Sequence, residues 1–464
     1  MKHLISTKRL RDSTSPSDRS PKQQFESDRG RVVFAPAFRR MQSKAQVFSL
    51  ESNAAVRSRL THSLEVAHIG KYIAQKIVEK AIEKQNQDLI YLSEHIEPIV
   101  ETACFLHDIG NPPFGHLGEE AIKEWFNKNG PSLYDDSINK DIDPSSKNYL
   151  DITNFDGNPQ GLRIAMTLQG EAGKKGLNLT YTQIASLIKY PKLSTDNTID
   201  YKKVGVFSSE ADDIATIWHE LKLEPSQRHP FVYIMEASDD IAYCLSDIED
   251  GIEKNIIKSE EVLEHLASSF KELSDGSIAK CIPTKSGEDR IIGSYISFRI
   301  NMINLYVDEA AKRFIDSIER GDFTVGFFDR DETDPFSKAL KIIKLFCREH
   351  LYKSPEAEDI EIAGYNIVYG LLEKFSILLS LKRKDFDLLL SGNAKGLHLH
   401  SRMFGKLPSK LVKHYQEQLV NIDNSDITEW YFRLQLIIDY ISGMTDEFAL
   451  QFYRLLNGIE IKTL

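Results

Sequence analysis

The chain has 464 residues, of which 41% are hydrophobic and 27% charged, so it can bury a large core and is too apolar to be disordered throughout. It contains no uninterrupted run of about 18 apolar residues, which argues against a transmembrane helix, and its N-terminus lacks the apolar core of a secretory signal. The four cysteines lack CxxC spacing, which argues against a zinc ribbon or a disulfide scaffold and indicates a reduced, cytoplasmic protein.

Charge is unevenly distributed along the chain. The net charge is −11, yet residues 1–40 carry ten Lys and Arg side chains against four Asp and Glu. We expect 1–22 to form a flexible basic arm. Such an arm could meet a polyanion, although a solvated tail is the more common outcome for a terminus of this composition.

Apolar residues recur at helical spacing over most of the chain, whereas strand signals are weak. The stretches 127–162 and 274–291 are rich in loop-forming residues. We predict a mainly α fold with a core over 23–270, an insertion at about 127–162, and a helical C-terminal region over 271–464 that packs back on the core, completing the substrate pocket and oligomer contacts. The predicted helices cover 54–84, 97–108, 179–190, 231–252, 296–319, 337–352, 360–381 and 428–456.

The segment ETACFLHDIGNPPFGHLGEEAI, residues 101–122, carries the most chemical information. Its helical stripe ends at Gly110 and two prolines follow, so His107 and Asp108 lie on the last turn. At that terminus both side chains could reach one ion if a second helix supplied further ligands. Alone, an adjacent His-Asp pair is weak evidence, because it also arises as a surface or capping pair.

Two further helices add candidate ligands. His62 lies inside a predicted helix, where a histidine satisfied by a backbone carbonyl is the ordinary interpretation. In 231–252, one face is apolar while the opposite face carries acids and a tyrosine, as a solvated acidic face also would. The ordered set His, His-Asp and Asp on three separate helices nevertheless resembles the layout of HD-domain metal phosphohydrolases.

The resemblance extends to one family, the bacterial dGTP triphosphohydrolases, whose motifs run in the same order over nearly the whole chain. It implies a helical HD-domain fold and metal-dependent hydrolysis of dGTP, with other dNTPs as further substrates, to a deoxynucleoside and tripolyphosphate, in control of the dNTP pool. The matching segments are DRGRVVFAPAFRRMQSKAQVF (28–48), SRLTHSLEVAHIG (58–70), HDIGNPPFGHLGEEAI (107–122), NFDGNPQGLRI (154–164), LIKYPK (187–192), EASDDIAYCLSDIEDG (236–251) and DYISGMTDEFAL (439–450).

The family pattern implies a single metal site. Helical periodicity leaves Asp239 and Asp240 equivalent as the last ligand, and the family pattern favours Asp239. Two imidazoles and two carboxylates suit Mn²⁺ or Mg²⁺, and Fe²⁺ is also compatible. The expected ligands are His62, His107, Asp108 and Asp239.

Catalytic and substrate-binding residues are expected around this ion. The resemblance implies that His116 and Glu119 act on the reacting phosphate, where we expect them to position the water and handle its proton, with no assignment of which does which. A nucleoside triphosphate brings about four negative charges, so cations and donors must surround it. Tyr243 is expected beside the deoxyribose, and Arg402 is a weak phosphate candidate that a surface arginine would also explain. The expected substrate contacts are Gln46, Arg59, Lys189, Tyr190, Tyr243 and Asp247.

Two rival functions are compatible with the residues. One is another HD-domain nucleotidase or phosphodiesterase, and the other is a nucleic-acid-binding regulatory protein with a structural HD site. The sequence contains no GxxxxGK[ST] motif, which argues against a P-loop enzyme. Family members are often assemblies, so a homo-oligomer, dimer or hexamer, is expected, with a dNTP or single-stranded DNA as a further candidate effector and no membrane partner. Base selectivity and the native metal stay open.

Overall fold

The computed structural model describes residues 2–13, 18–170, 176–284, 294–330, 333–420 and 425–459. These residues are mainly α-helical, as predicted, and their extended segments pair only in three isolated bridges. The first helices are α1 (Pro21–Val33), α2 (Pro36–Arg40), α3 (Arg59–Glu83), α4 (Gln87–Ser93), α5 (Ile96–Leu106), α6 (Gly115–Ile138), α7 (Lys147–Thr153), α8 (Gly157–Arg163), α9 (Tyr181–Ala185) and α10 (Ala211–Leu221). The later ones are α11 (Pro230–Glu253), α12 (Ser259–Phe270), α13 (Gly276–Ala279), α14 (Tyr295–Arg320), α15 (Pro335–Cys347), α16 (Pro355–Leu379), α17 (Arg383–Leu390), α18 (His398–Phe404), α19 (Ser409–Val420), α20 (Asp426–Ser442) and α21 (Asp446–Leu456).

The first hydrophobic core surrounds α3. This helix packs against α5, α11 and α14, and each of the four presents an apolar stripe to the others. The core extends through α15 to Leu351. Because α3, α5 and α11 meet here, the sequence-distant segments that carry the predicted metal ligands come together at one place.

A second hydrophobic core is built by the C-terminal helices α16, α20 and α21 around α6. Among the described residues, α16 is the one helix long and apolar enough to cross a membrane by length and composition. It lies in this second core, where it packs on α6, α20 and α21. The last third of the chain therefore packs back on the first, through α6. Within the predicted C-terminal region 271–464, buried apolar residues up to Leu351 belong to the first core, and those from Ile367 onward belong to the second. The boundary between the cores therefore lies after Leu351 and not at residue 271.

The predicted loop at 127–162 is wrong for most of its length. Helix α6 continues to Ile138, and α7 and α8 follow. The prediction failed because this stretch is rich in loop-forming residues, among them Pro131, which lies inside the helix. Burial of Trp125 and Phe126 in the second core outweighs the poor local helix propensity.

Three other predicted elements differ from the structure. Only Tyr181–Ala185 of the predicted helix 179–190 is helical. The predicted helix 428–456 is two helices, because α20 ends at Ser442 and Thr445 caps the start of α21. In the predicted loop 274–291, Gly276–Ala279 is helical, and residues 285–291 lie outside the described part.

The N-terminal residues pack on the first core and do not form the free arm expected of 1–22. The side chain of Arg9 is buried, and its guanidinium pairs with Asp28 at 2.5 Å. Leu4 is buried, and His229 donates a hydrogen bond to its carbonyl. Further along, Arg29 pairs with Glu101 at 2.7 Å. Arg9 and Arg29 neutralise acids of the chain itself, which weakens the case for a nucleic-acid-binding arm. Residues 14–17 lie outside the described part.

Candidate active site

His62 reaches the site from the first turn of α3. Ser58 caps this helix in a reciprocal pair with Thr61, so the helix begins at Arg59 and puts Arg59 and His62 on neighbouring positions of one face. The imidazole is fully buried, and its Nε2 lies 3.2 Å from Oδ1 of Asp239.

His107 and Asp108 follow directly after α5. Nδ1 of His107 donates to the carbonyl of Cys104 at 2.7 Å, so Nε2 carries the free lone pair of the neutral ring. That Nε2 lies 3.4 Å from Oδ1 of Asp239 and 3.7 Å from Oδ1 of Asp108. It is buried without a hydrogen-bond partner. A backbone-anchored imidazole with a free nitrogen facing carboxylates is the arrangement of a metal ligand.

The two neighbouring acids of α11 point in different directions. Asp239 faces both imidazoles, whereas Oδ1 of Asp240 accepts a hydrogen bond from Lys344 at 2.7 Å. Ligand atoms of His62, His107 and Asp239 all lie within 4.8 Å of one another, close enough to bind one ion. Geometry thus favours Asp239 over Asp240, which helical periodicity left equivalent.

The electrostatics of this cluster keep its acids ionised. Burial alone would lower the pKa of His107, but the carboxylates of Asp108 and Asp239 outweigh it and raise the pKa to about 9. Burial would raise the pKa of Asp239, yet the adjacent imidazoles hold it well below its usual range. The residues therefore fit a divalent cation, which would take the place of the protons in balancing these charges.

Asp108 is oriented by two neighbours. Its Oδ2 accepts from Nη1 of Arg59 at 2.7 Å, and its Oδ1 accepts from Nδ2 of Asn111 at 2.7 Å. Burial opposes ionisation, but Arg59 and the imidazoles lower the pKa of Asp108. Asn111, which the sequence reasoning did not select, thus orients a predicted ligand.

His116 and Glu119 form a hydrogen-bonded pair in the first turn of α6. Nδ1 of His116 lies 2.8 Å from Oε2 of Glu119, and Oε1 of Glu119 accepts from the backbone N–H of Gly157 at 2.7 Å. The hydrogen bond to Glu119 raises the pKa of His116. Glu119 is buried, whereas the His116 side chain is 70% exposed. The pair can therefore exchange protons with a molecule bound outside the protein interior.

A cavity of about 220 Å³ joins the cluster of His107, Asp108 and Asp239 to this pair. Eight of the predicted site residues line it, whereas Gln46, His62, Tyr243 and Asp247 do not. The sequence reasoning missed the remaining lining residues, which come mainly from loops. The full lining is Arg59, His107, Asp108, Asn111, His116, Glu119, Asn158, Leu187, Lys189, Tyr190, Lys203, Met235 and Asp239.

Three cations face this cavity. Nζ of Lys189 lies 3.7 Å from Glu236 and 3.9 Å from Asp239, and Nζ of Lys203 lies 2.8 Å from Asp156. Burial lowers the pKa of Lys189, but the carboxylates of Glu236 and Asp239 outweigh it and raise the pKa. Lys189 therefore stays charged. With Arg59, these lysines make the cavity suitable for a polyanion.

Tyr243 and Asp247 lie one and two turns beyond Asp239 on α11. The Tyr243 ring lies 6.3 Å from that of Tyr352, whose hydroxyl donates to Asp247. Burial raises the pKa of Asp247 to about 8. Tyr352, which follows α15 in a short π-helical turn, was not selected from the sequence.

Two other predicted contacts lie apart from the cavity lining. Oε1 of Gln46 is buried without a hydrogen-bond partner among the described residues. Arg402 is exposed on α18 and does not line the cavity, in agreement with a surface arginine.

Comparison with known proteins identifies the family. Residues 59–139 match the HD domain, and residues 400–455 match the phosphohydrolase-associated domain. The chain is 36% identical, over 94% of its own length and 94% of theirs, to proteins named deoxyguanosinetriphosphate triphosphohydrolase from Salmonella paratyphi A, Enterobacter sp. (strain 638) and Serratia proteamaculans (strain 568). The resemblance found in the motifs is thereby confirmed, and the chain belongs to the deoxyguanosinetriphosphate triphosphohydrolase family of HD-domain hydrolases.

Proposed function

We propose that this protein hydrolyses dGTP to deoxyguanosine and tripolyphosphate with the help of a divalent metal ion, and so acts in control of the dNTP pool. The observation that carries the proposal is the convergence of His62, His107 and Asp239 within 4.8 Å beside a cation-lined cavity. The substrate is the one for which the relatives are named.

The metal would be held by His62, His107, Asp108 and Asp239. A mixed nitrogen and oxygen donor set favours Mn²⁺ or Mg²⁺, with Fe²⁺ also compatible. When bound, such an ion polarises a phosphoryl oxygen and lowers the pKa of water.

The chain's own residues would manage phosphate and protons. Arg59, Lys189 and Lys203 hold the triphosphate by charge. Water attacks the α-phosphorus, the bond from that phosphorus to O5′ breaks, and O5′ takes up a proton to leave deoxyguanosine. His116 and Glu119 serve as one proton-handling unit, in which the buried Glu119 orients the exposed imidazole.

The sugar would lie towards Tyr243 and Asp247. Tyr243 packs near the deoxyribose, where a 2′-hydroxyl would clash, and Tyr190 and Gln46 provide further donors or acceptors. Turnover of GTP equal to that of dGTP would contradict this assignment. Other dNTPs remain candidate substrates, because the residues do not specify the base.

Several properties of the whole protein belong to the same proposal. The four cysteines are buried and free, which supports a reducing compartment such as the cytoplasm. A homo-oligomer, dimer or hexamer, is proposed, with a second dNTP or single-stranded DNA as candidate effector.

The test is a substrate panel with product analysis. The purified protein is given each of the four dNTPs and GTP, with Mn²⁺ or with a chelator, and products are identified by chromatography and phosphorus NMR. Tripolyphosphate from dGTP, and only with metal, is expected. Orthophosphate as the first product would favour the rival nucleotidase. Retained function in His107→Ala would favour a structural HD site.

A further inference from the structure

We infer that Asp446 and Lys44 are positioning residues that hold the loop between Asp108 and His116 in its working shape, so that the C-terminal region sets the geometry of the active site. The inference rests on the function proposed above, because it treats this loop as catalytic. The turn between α20 and α21 would then support the active site, although it lies far along the chain from the His107-Asp108 pair.

Asp446 joins three distant parts of the chain. It is buried at the start of α21, where its Oδ1 accepts from the backbone N–H of Phe114 at 3.0 Å and its Oδ2 accepts from the backbone N–H of Ala45 at 2.9 Å. Phe114 immediately precedes α6, and Ala45 adjoins Gln46. One carboxylate thus fixes both the catalytic loop and the segment of a proposed substrate contact.

Lys44 makes a second connection between the same parts. Its Nζ is buried and donates to the carbonyl of Asn111 at 2.6 Å and to the carbonyl of Ser442 at 2.9 Å. Asn111 in turn donates to Oδ1 of Asp108. Hydrogen bonds of Lys44 and Asn111 therefore connect the carbonyl of Ser442, at the end of α20, to the proposed metal ligand Asp108.

The loop needs such support because Phe114 adopts a left-handed backbone. Its φ of 60° and ψ of 21° are rare for a bulky residue, and they aim the chain into α6 just before His116. From the other side Gly364 of α16 lies so close that a Cβ there would sit 2.4 Å from the Phe114 ring. Asp446, which accepts from the Phe114 N–H, and Gly364 both belong to the C-terminal region. The conformation of Phe114 therefore depends on that region.

A loosened loop should affect turnover more than substrate binding. His116 and Glu119 act on the reacting phosphate, and a shift of about 1 Å in such groups can cost ~100-fold in rate. Arg59, Lys189 and Lys203 bind the triphosphate, and their side chains pair with other residues than Asp446 and Lys44. A purely structural role would instead lower thermal stability and leave kcat of the folded fraction unchanged.

The experiment compares Asp446→Asn and Lys44→Met with Thr445→Ala in the full-length protein. Thr445 caps the same turn by accepting from the N–H of Phe448, and its hydroxyl has no hydrogen bond to either site segment among the described residues. We expect kcat for dGTP to fall ~10–100-fold in the two positioning variants, with KM changed less than about threefold. Thr445→Ala should lower the melting temperature but keep kcat within about twofold.

The outcomes separate this inference from the proposed function. A wild type that does not hydrolyse dGTP contradicts the function itself. An active wild type whose Asp446→Asn and Lys44→Met variants match Thr445→Ala in kcat overturns the inference. If Asp446→Asn does not fold, Gly364→Ala presses on Phe114 from α16 and is expected to give the same fall in kcat. A Gly364→Ala protein with wild-type kcat overturns it as well.

Discussion

Glu119 combines burial with two short hydrogen bonds, which makes it the most constrained member of the proposed proton-handling pair. One oxygen accepts from the Gly157 backbone and the other contacts the His116 ring. A neutral amide at this position could keep the first bond but could not stabilise a protonated imidazole.

Glu119→Gln should therefore lower kcat for dGTP by ~100-fold or more while leaving Mn²⁺ binding intact. Glu120→Gln is the matched control, because Glu120 is next in sequence and pairs with Lys123 on the same helix. Steady-state kinetics and a Mn²⁺ titration check both. A Glu119→Gln enzyme with normal kcat would remove this residue from the mechanism.

At the scale of single residues, the sequence could predict that His62, His107 and Asp239 come together, but not all of their surroundings. His62 and Asp239 lie on the long helices α3 and α11, and His107 directly follows α5. Their motifs occur in a recognisable order, so their convergence could be predicted. Lys203 and Tyr352 lie in a loop and a π-helical turn, far along the chain from the residues they meet. Their placement depends on tertiary packing that no local pattern encodes.

Among the secondary-structure elements, α11 is anchored by a buried histidine. His229 caps the helix, its Nδ1 accepts from the N–H of Phe231, and its Nε2 donates to the carbonyl of Leu4. Burial lowers the pKa of His229 to about 4. The neutral ring thus connects the N-terminal segment to the helix that carries Asp239.

This cap predicts a loss of stability in mild acid. Between pH 6.5 and 4 the unfolded chain binds a proton at His229 and the folded protein does not, so the free energy of unfolding falls as pH falls. Between pH 7 and pH 5, this difference in proton binding lowers the free energy of unfolding by about 2 kcal/mol. His229→Asn should lose that part of the pH dependence in urea unfolding curves. An unchanged pH profile in this variant would contradict the assignment.

Helix α8 approaches the turn after α5 too closely for any side chain. A Cβ at Gly110 would lie 2.0 Å from the carbonyl oxygen of Gly157 and 2.1 Å from the nitrogen of Gly161. Gly157 also donates to Glu119, so the contact supports the proposed catalytic pair.

Gly110→Ala is therefore expected to destabilise the protein by ~3 kcal/mol. Gly30→Ala, in α1, is the control, because a Cβ there meets nothing within 4 Å and should stabilise the helix by ~0.5–1 kcal/mol. Denaturant unfolding measures both. Equal stability of the two variants would show that α8 can move away without cost.

In the whole molecule, a buried ionic network joins the two cores. The guanidinium of Arg163 pairs with Asp439 of α20 at 2.8 Å and with Glu210 at 3.0 Å, and all three side chains are almost fully buried. Burial would lower the pKa of Arg163, but the two carboxylates outweigh it and raise the pKa. The contact holds α20 of the C-terminal region against the end of α8.

Arg163→Met leaves two buried carboxylates without their cation and should cost ~3–5 kcal/mol of unfolding free energy. Lys8→Met, which breaks the exposed pair with Glu220, should leave the unfolding midpoint almost unchanged. Thermal unfolding compares the two variants. A similar midpoint in both would mean that the cores associate without this network.

The sequence predicted a mainly α molecule whose last third packs on its first, but it did not predict that the packing uses α6. Gly130 and Pro131 interrupt the local helical pattern of that element, so its burial in the second core is what makes it helical. The boundary between the two cores, between Leu351 and Ile367, could not be predicted either. Helical periodicity shows which face of a helix is apolar, but not which other helix that face packs against.

The most direct measurement pairs two neighbouring acids of α11. Wild type, Asp239→Asn and Asp240→Asn are titrated with Mn²⁺ and tested for release of tripolyphosphate from dGTP. Wild type and Asp240→Asn are expected to bind the ion and release tripolyphosphate, whereas Asp239→Asn should lose both properties. Full activity of Asp239→Asn, or its loss in Asp240→Asn alone, would contradict a catalytic ion bound between α3, α5 and α11.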